Sequence, residues 1–571
     1  MAAAQKKRHV FAVDTLRAAT DRSRSRLVFV LFIFTLLYGS VVVRLIDLSL
    51  RNNKAGNSVV AAVGKADLKI KRGNLLDRNG MILATNLRLA SIYANPNDII
   101  NIDDAVAKIT SLFKGVNKAD LRKKLASNKQ FIWIKRWVHP KELHDLNNLG
   151  IPGVYHRFEE KRTYPYKNLL SHVLGFVSIE NKGLSGVEQN YNDMLSFPDS
   201  ENKSNELQLS VDVRVQEILT SELKNIYNKH SAKAATGIIM NVDNGEIIAM
   251  ASFPDFDPNV PSKVDISNTF NYATKGLFEM GSTFKTFAVA SALDSKKIKM
   301  GDEFDARKPI KISRFTINDY HAKNEIMSIE DVMVHSSNIG TARIVEAMGA
   351  ETEKKYFRKF NLLDELSFEV PETAKPSSPD RWGRLSAITI GYGHGISVTP
   401  LHVVSAMASI VNGGYKISPT LIKGKKPKKE RVISRETSKI MNQLLRLVVR
   451  DGTGKNANVK GYMVGGKTGT AEKAGKKSYS KKLRVSSFAG AFPMNDPKYS
   501  IVVVIDEPKG IKSTWGYATA GWTAAPVVGN VIRRIGPMLG VKPVNEEEIE
   551  SGKNFSIVAN YSKEDNKVAT R

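Results

Sequence analysis

The chain has 571 residues, which is more than one average hydrophobic core accommodates, so two or three domains are expected. With 42% hydrophobic and 25% charged residues it is mostly globular, and the absence of cysteine excludes disulfides, thiolate chemistry and cysteine zinc sites. The formal net charge of +28 favours an anionic environment, such as nucleic acid, a membrane surface or an acidic polymer, but charge alone does not choose among these and no nucleic-acid-binding motif is evident.

The first predicted element is an apolar segment, Leu27 to Val43, which contains 17 residues without a charge. As a helix it would be about 26 Å long, slightly short of the hydrocarbon core of a bilayer, and Arg44 can extend to the far interface. A buried core helix and a cleaved signal peptide are the alternatives. The run is apolar all round and no small-residue cleavage site follows it, so an uncleaved signal anchor at 27–46 is predicted.

The charges that flank this segment predict its orientation. Residues 1–26 contain seven Lys or Arg against two Asp, and positive charge stays on the cytoplasmic side of a membrane. No second apolar run of similar length follows. The sequence therefore predicts a basic cytoplasmic tail at 1–26 and places the rest of the chain outside the cytoplasm.

Residues 47–205 alternate short apolar strands with polar turns rich in Gly and Asn, which is typical of an irregular α+β module. Within it, "RGNLLDRNGMILATN" (Arg72 to Asn86) has an Asn-Gly pair between two apolar runs and predicts a hairpin. "ADLRKKLAS" predicts a helix. The polar stretch Phe197 to Glu206 is expected to be a linker to the next domain.

The second domain, residues 206–540, begins with two strands joined by an Asp-Asn-Gly turn. Helical patterns follow near 282–295, 328–348 and 399–412, then further strands and a closing helix. This order predicts an α+β fold in which helices flank an antiparallel sheet. Residues 541–571 are polar and predict a loose tail.

Candidate catalytic residues begin with Ser282 and Lys285 in "FEMGSTFKTFAVASAL". At i and i+3 of a helix the two side chains share one face, and a lysine of lowered pKa can deprotonate a serine that is otherwise a weak nucleophile. S-x-x-K alone is a weak signal, since Ser200/Lys203 and Ser478/Lys481 also match. Those two pairs lie in polar sequence, whereas Ser282 opens an apolar helix.

Two further motifs follow Ser282 in the chain. "VHSSNIGTA" supplies Ser336 and Asn338, for which a helix cap is the alternative interpretation. "GYMVGGKTGTA" supplies Lys467, Thr468, Gly469 and Thr470, where Gly469 would let a ligand approach the backbone of a strand. That stretch also fits the P-loop pattern G-x-x-x-x-G-K-[ST], but polar sequence on both sides disfavours the strand and helix that a nucleotide site needs.

In the order S-x-x-K, S-x-N and K-T-G, the three motifs together resemble the penicillin-binding protein and serine β-lactamase superfamily. The resemblance covers roughly residues 47–540. "RGNLLDRNG", "KRTYP", "HVLGFV" and "GLSGVE" are similar to the pedestal module of class B penicillin-binding proteins, and "GYGHGISVTPLH" and "GTG" are similar to their transpeptidase domain.

This resemblance implies a role for each motif residue. Ser282 would attack the D-Ala-D-Ala carbonyl of a peptidoglycan stem peptide, with Lys285 as general base. Ser336 and Lys467 would pass a proton toward the leaving group, and Asn338 would bind the substrate amide. Thr468 and Thr470 would hold the terminal carboxylate beside Gly469, and the backbone N–H groups of Ser282 and Thr470 would form the oxyanion hole.

The resemblance implies no cofactor, and Pro140 within "HPKELH" (His139 to His144) disfavours a metal site there. It implies β-lactams as inhibitors and, as partners, an FtsW-like glycan polymerase and divisome proteins at the septum of a bacterial inner membrane. "RLIDL" and "GPMLGVKPV" favour the division-specific type over the elongation type. A β-lactamase and a β-lactam sensor remain the alternatives, together with the remote one of a nucleotide hydrolase.

Overall fold

The computed structural model describes residues 31–44, 72–196, 205–474 and 479–561. Residues 31–44 form an exposed helix, α1, which belongs to a separate unit of the chain. Within the described residues no helix has the length and hydropathy needed to cross a bilayer. The predicted tail at 1–26, both ends of the predicted anchor and most of the predicted linker lie outside the described residues.

The first domain is built on a small sheet whose strands pair in the order β3–β2–β1–β5, with β4 also pairing with β2. The strands are β1 (Leu75–Leu76), β2 (Ile82–Ala94), β3 (Ile132–Val138), β4 (Val154–Thr163) and β5 (Leu207–Gln208). The antiparallel pairing of β1 with β2 confirms the predicted hairpin. Gly80 in its turn has a φ of +85°, a conformation that glycine adopts without strain.

Helices of this domain cover one face of β2 and β3 and enclose a core of their own. They are α2 (Ile102–Leu112), α3 (Lys118–Leu125) and α4 (Pro140–Asn148). The short helices α5 (Ser171–Leu174), α6 (Gly186–Asn190) and α7 (Asn192–Ser196) contribute instead to a core that continues into the second domain. Asn101 and Asn117 cap α2 and α3, since their side chains accept hydrogen bonds from the N–H groups of Asp104 and Asp120. Between the caps, apolar side chains such as Phe113 are buried against the sheet.

A buried group of charged side chains, which we call the pedestal ion cluster, ties β4 to α6 and to the residues before β1. It consists of Arg72, Arg162, Glu188 and Tyr164. The Nε atoms of Arg72 and Arg162 each donate to a different oxygen of Glu188 at 2.7 Å. A cluster of this kind places the "RGN", "KRTYP" and "GVE" segments together, although they are far apart in the sequence.

The second domain contains the predicted antiparallel sheet, in the strand order β14–β15–β16–β6–β7. Its strands are β6 (Ala234–Asn241), β7 (Ile247–Phe253), β14 (Gly465–Ala474), β15 (Tyr479–Phe492) and β16 (Tyr499–Asp506). Short strands outside it are β8 (Glu303–Asp305), β9 (Ile310–Ile312), β10 (Phe315–Ile317), β11 (Ile326–Ser328), β12 (Tyr415–Ile417) and β13 (Lys429–Arg431).

Side chains of the large sheet alternate between two cores, one on each face. Val503 of β16 joins the core formed with α8 (Val213–Lys229) and α16 (Ala524–Met538), whereas its neighbour Val502 joins the other core. Helices on that second side are α9 (Lys285–Asp294), α10 (Ile329–Val334), α11 (Asn338–Met348), α12 (Ala350–Lys359), α13 (Arg384–Gly391), α14 (Pro400–Val411) and α15 (Arg435–Arg450). The predicted α+β fold with helices flanking an antiparallel sheet is therefore confirmed.

The three predicted helical stretches are present, with one interruption. α14 starts as expected, because Thr399 accepts a hydrogen bond from the N–H of His402 and Pro400 occupies the first turn. The stretch 328–348 is divided into α10 and α11, because Ser336 has a φ of +59° and breaks the helical path. This break lies within the predicted S-x-N motif.

The prediction of a loose polar tail is wrong for residues 541–561. This segment contains α17 (Glu546–Ser551), whose residues Glu546 and Glu550 form ion pairs with Arg446 of α15 at 3.0 and 2.6 Å. Arg446 is only 1% exposed, and Phe555 is buried as well. Acidic residues that read as a solvated tail therefore neutralise a buried cation. Residues 562–571 lie outside the described part of the chain.

Candidate active site

Ser282 lies in a short 3-10 turn, Gly281–Phe284, that leads directly into α9. Gly281 in this turn has a φ of +53°, and its N–H donates to the carbonyl of Gly393, in the loop after α13, at 3.2 Å. A Cβ on Gly281 would lie 2.9 Å from the carbonyl oxygen of Thr470. The backbone just before Ser282 is therefore in direct contact with the backbone of Thr470, and these two residues supply the N–H groups of the predicted oxyanion hole.

The K-T-G residues lie on β14, the edge strand of the large sheet. A Cβ on Gly469 would lie 2.1 Å from the carbonyl oxygen of Met280 and 2.5 Å from Ser487 Oγ. A side chain at position 469 is therefore excluded by the backbone just before Ser282 and by Ser487, and the approach of a ligand to the Gly469 backbone stays a prediction. Gly469 allows the turn that carries Ser282 to approach the strand closely.

The same strand excludes the P-loop interpretation of Lys467. A phosphate-binding loop must open a helix, so that the N–H groups of its first turn face the phosphates. Lys467 is instead the third residue of β14, and it pairs with Ala489 of β15 in an antiparallel ladder. The remote alternative of a nucleotide hydrolase is thus wrong.

Lys285 connects the first two motifs. Its Nζ donates to the carbonyl oxygen of Ser336 at 2.5 Å, to Ser336 Oγ at 3.2 Å and to Asn338 Oδ1 at 2.8 Å. No hydrogen bond joins Ser282 Oγ to Lys285 Nζ, both of which are in the described part of the chain. Hydrogen bonds of catalytic groups often tighten only in the complex with substrate, so this geometry is compatible with the predicted pair.

Burial changes the protonation of both lysines of the site. Lys285 and Lys467 are fully buried, and burial disfavours the charged form. Burial, with a smaller repulsion from Lys467, moves the pKa of Lys285 well below its usual range. Burial also lowers the pKa of Lys467 to about 7. Lysines of this kind are available as neutral bases near physiological pH.

The amide of Asn338 is fixed at both ends. Its Oδ1 accepts from Lys285, and its Nδ2 donates to the carbonyl of Asn318 at 2.9 Å. An amide nitrogen carries two hydrogens, so one N–H remains for a substrate carbonyl. The position is consistent with the predicted contact to a substrate amide.

The two threonine hydroxyls of the K-T-G-T segment are also oriented by neighbours. Thr468 Oγ1 lies 2.6 Å from Thr453 Oγ1, in the "GTG" segment. Thr470 Oγ1 accepts from the N–H of Ala520 at 3.2 Å. Because its lone pair is used in this way, the Thr470 O–H points away from Ala520 and is free to donate to an anion.

Asp319 is a residue of this site that the sequence analysis did not identify. Its carboxylate accepts from Ser337 Oγ at 2.7 Å and from the N–H groups of Asn338 and Ile339 at 2.5 and 3.0 Å. A lone Asp in the loop after β10 matches no motif. The only signal available was its spacing before "SSN", and such spacing carries no information without the fold.

The structure thus brings Ser282, Lys285, Ser336, Asn338 and the Lys467–Thr470 segment to one cleft between the edge strand and the helices of the second core. Their proximity is direct, since Lys285 contacts Ser336 and Asn338, while the Ser282 turn contacts Gly469 and Thr470. The catalytic role of each residue stays a prediction.

Two family models match the chain in succession. One, described as the penicillin-binding protein dimerisation domain, matches residues 68–204, and one described as the penicillin-binding protein transpeptidase domain matches residues 235–533. Boundaries at 205 and 540, as the sequence predicts them, lie close to these limits and stay predictions.

Similar proteins cover most of the chain. A probable peptidoglycan D,D-transpeptidase FtsI from Caulobacter vibrioides is 37% identical over 83% of this chain and 82% of its own length. Stage V sporulation protein D from Bacillus subtilis is 31% identical over 92% of this chain and 88% of its own. The crystal structure of penicillin-binding protein 3 from Mycobacterium tuberculosis with aztreonam has a TM-score of 0.65 at 21% identity, covers 84% of this chain and 98% of that one, and shows a common fold.

Proposed function

Because this chain belongs to the class B penicillin-binding proteins, in which a dimerisation domain precedes a transpeptidase domain, we propose that Ser282 is the nucleophile of a peptidoglycan D,D-transpeptidase. The enzyme crosslinks stem peptides through a serine acyl-enzyme. The observation that supports Ser282 most directly is the buried Lys285 three residues after it, with lowered pKa and contacts to both residues of the S-x-N motif.

In the acylation step, Ser282 Oγ attacks the carbonyl carbon of the penultimate D-Ala while neutral Lys285 accepts the hydroxyl proton. The negative charge that develops on the carbonyl oxygen is stabilised by the N–H groups of Ser282 and Thr470. The peptide C–N bond then breaks, and the departing nitrogen takes a proton through Ser336. D-Ala leaves, and the remaining peptide is esterified to Ser282.

In the second step, an amine of a neighbouring stem peptide attacks the ester and Ser282 recovers its proton. Thr468 and Thr470 hold the terminal carboxylate of the donor, and the protonated form of Lys467 adds a positive charge nearby. The carboxylate of a β-lactam would occupy the same place. When the β-lactam ring opens, its nitrogen stays attached to the acyl group and does not leave the site, so the acyl-enzyme persists.

The test is intact-mass and peptide mass spectrometry of the full chain in detergent after reaction with benzylpenicillin. We expect one adduct on Ser282, and its loss in Ser282→Ala without a change in melting temperature. Ser478→Ala is the matched control, because Ser478 also begins an S-x-x-K sequence, and it should label like the wild type. An adduct elsewhere, or labelling retained by Ser282→Ala, contradicts the proposal.

The same experiment separates a synthase from a β-lactamase. Hydrolysis of the acyl-enzyme needs a base that activates water, and the sequence contains no class A-type acidic motif between "SSN" and "KTGT". We expect the adduct to persist over many minutes. Rapid release of penicilloic acid with full recovery of free enzyme favours the β-lactamase instead.

We also propose that the enzyme acts in septal wall synthesis as a single-pass protein of the inner membrane, with FtsW-like polymerase and divisome partners. The name of the FtsI relative supports the division role, and the apolar segment 27–46 after a basic tail supports the anchor. Depletion should give filaments, whereas round cells favour the elongation role. A C-terminal alkaline phosphatase fusion should be active, and a fusion active only in the cytoplasm contradicts the topology.

A further inference from the structure

The turn that carries Ser336 and Asn338 is an unusual piece of backbone. Ser336 has a φ of +59°, in the left-handed region that a serine seldom adopts. Lys285 Nζ hydrogen-bonds the carbonyl of this same residue. Such a conformation persists only where the surrounding structure fixes it, so some neighbour must hold the turn.

We propose that Asp319 is a positioning residue for the transpeptidase reaction, which fixes the Ser336–Asn338 turn from outside α11. One oxygen of its carboxylate accepts from the first two N–H groups of α11, those of Asn338 and Ile339. The other oxygen accepts from Ser337 Oγ at 2.7 Å. Three donors of consecutive residues therefore converge on one side chain.

The residue next to Asp319 holds the same turn at a second point. The carbonyl of Asn318 accepts from Asn338 Nδ2 at 2.9 Å. Asn338 is thereby held through its backbone N–H and its side-chain amide, with Oδ1 facing Lys285. A shift of Asp319 would move the three acceptors of Lys285, namely the Ser336 carbonyl, Ser336 Oγ and Asn338 Oδ1.

The arrangement differs from an ordinary helix cap, which comes from the residue before the helix. That place is taken by Ser337, whose Oγ accepts from the N–H of Gly340 at 2.9 Å. Asp319 is 18 residues earlier in the chain and holds the groups that the local cap does not reach. The hairpin of β9 and β10, which leads to Asp319, therefore determines the geometry of the catalytic turn.

Asp319 also acts on Lys285 through its charge. Its carboxylate partly opposes the lowering of the Lys285 pKa by burial and by Lys467 of β14. His394, in the loop after α13, is the further titratable group whose charge couples to Lys285. Removal of the Asp319 charge should favour neutral Lys285 at lower pH, an effect that a purely structural role would not produce.

The inference rests on the proposed function, and the experiment keeps the two separate. Acylation of the full chain by benzylpenicillin is measured from pH 5 to 9 for the wild type, Asp319→Ala, Asp319→Asn and the control Asp305→Ala. Asp305 is an exposed acid of β8 paired with Arg307, so its loss should leave the rate unchanged. Absence of a Ser282 adduct in the wild type counts against the function, whereas the ratio of variant to wild type tests Asp319.

We expect Asp319→Ala to lower the acylation rate constant about a hundredfold, because a misplaced catalytic group typically costs that much, with little change in the affinity for penicillin. Asp319→Asn keeps an acceptor oxygen and should recover most of the rate, with the rising limb of its pH profile displaced to lower pH. A rate within threefold of the wild type for Asp319→Ala overturns the proposal. So does a profile of Asp319→Asn that coincides with that of the wild type.

Hydrogen exchange gives a readout that does not depend on acylation. The amides of Asn338 and Ile339 should lose protection by more than about tenfold in Asp319→Ala, because their acceptor is removed, and not in Asp305→Ala. Unchanged protection at these two amides overturns the proposal whatever the acylation rates are.

Discussion

In the pedestal ion cluster, Glu188 is buried between two arginines, whereas in the catalytic cleft Lys285 and Lys467 are buried beside neutral oxygen atoms. Each carboxylate oxygen of Glu188 receives a guanidinium N–H at 2.7 Å. The Nζ atom of Lys285 contacts a carbonyl, a hydroxyl and an amide oxygen. Both sites thus contain a buried ionisable side chain. Glu188 has oppositely charged groups in contact with it, and Lys285 has none.

The difference separates a structural use of buried charge from a catalytic one. A paired buried ion keeps its charge and ties segments together, and loss of one partner leaves the other uncompensated. A lysine without a carboxylate in contact moves its pKa downward, which makes a neutral amine available as a base. The pedestal cluster therefore should matter for stability, and the cleft lysines for acylation.

The largest effect that tests this comparison is expected for Lys285→Met, which keeps the length of the side chain and removes its basic group. The acylation rate should fall about a thousandfold, the usual contribution of a general base. The melting temperature should stay at or above that of the wild type, since a buried cationic group without a carboxylate in contact is removed. Stopped-flow acylation and calorimetry measure the two quantities.

A large loss of stability in Lys285→Met would contradict the comparison, because it would show that Lys285 holds the cleft together as Glu188 holds the pedestal. Ser291→Ala is a suitable control on α9. Its hydroxyl bonds only the carbonyl of Phe287 within the same helix, so neither the rate nor the melting temperature should change strongly.

The next effect is expected for Glu188→Gln, which leaves two buried guanidinium groups without a negative partner. The free energy of unfolding should fall by about 3–5 kcal/mol, as is typical when one partner of a buried ion pair is removed. The acylation rate constant of the molecules that remain folded should be unchanged. Denaturant unfolding and active-site titration measure these outcomes.

Glu142→Gln is the matched control, because Glu142 pairs with Lys135 at 2.7 Å but both side chains are partly exposed. Exposed pairs typically contribute about 1 kcal/mol or less. Equal losses for Glu188→Gln and Glu142→Gln would show that the pedestal ion cluster is not a special source of stability.

The sequence predicted the parts of this molecule in which local pattern and motif agree. The helical pattern near 399–412 predicted α14, and the Asn-Gly pair between two apolar runs predicted the hairpin of β1 and β2. The three catalytic motifs identified the residues that the fold gathers in one cleft. The residues that determine these elements are close to one another in the sequence.

Features that depend on distant partners were missed. Glu546 and Glu550 looked like residues of a solvated tail, because their partner Arg446 is about 100 residues earlier. Asp319 had no motif, and its function as an acceptor exists only after β10 approaches α11. The close approach of the Met280 carbonyl to Gly469 was also missed, because it cannot be read from a strand sequence. Helix propensity near 328–348 gave no indication of the break at Ser336.

The smallest effect concerns Lys467, whose pKa is lowered to about 7. A depressed lysine pKa means that Lys467 is protonated below that pH and neutral above it. If its positive charge assists the binding of a ligand carboxylate, this assistance is lost as the pH rises through about 7. For a penicillin with a free carboxylate, the loss of this charge should therefore lower the second-order acylation rate constant about tenfold as the pH rises through about 7. The reason is that a charge-assisted hydrogen bond is replaced by a neutral one.

The methyl ester of the same penicillin provides the control, because it has no carboxylate for Lys467 to assist. Titration of Lys285 affects both ligands alike, so the ratio of the acid rate to the ester rate isolates Lys467. This ratio should be high at pH 6 and should decrease with a midpoint near pH 7. A ratio that is constant from pH 5.5 to 9 would mean that Lys467 does not act through the carboxylate. The burial of Lys467 without a carboxylate in contact would then need an explanation other than ligand binding.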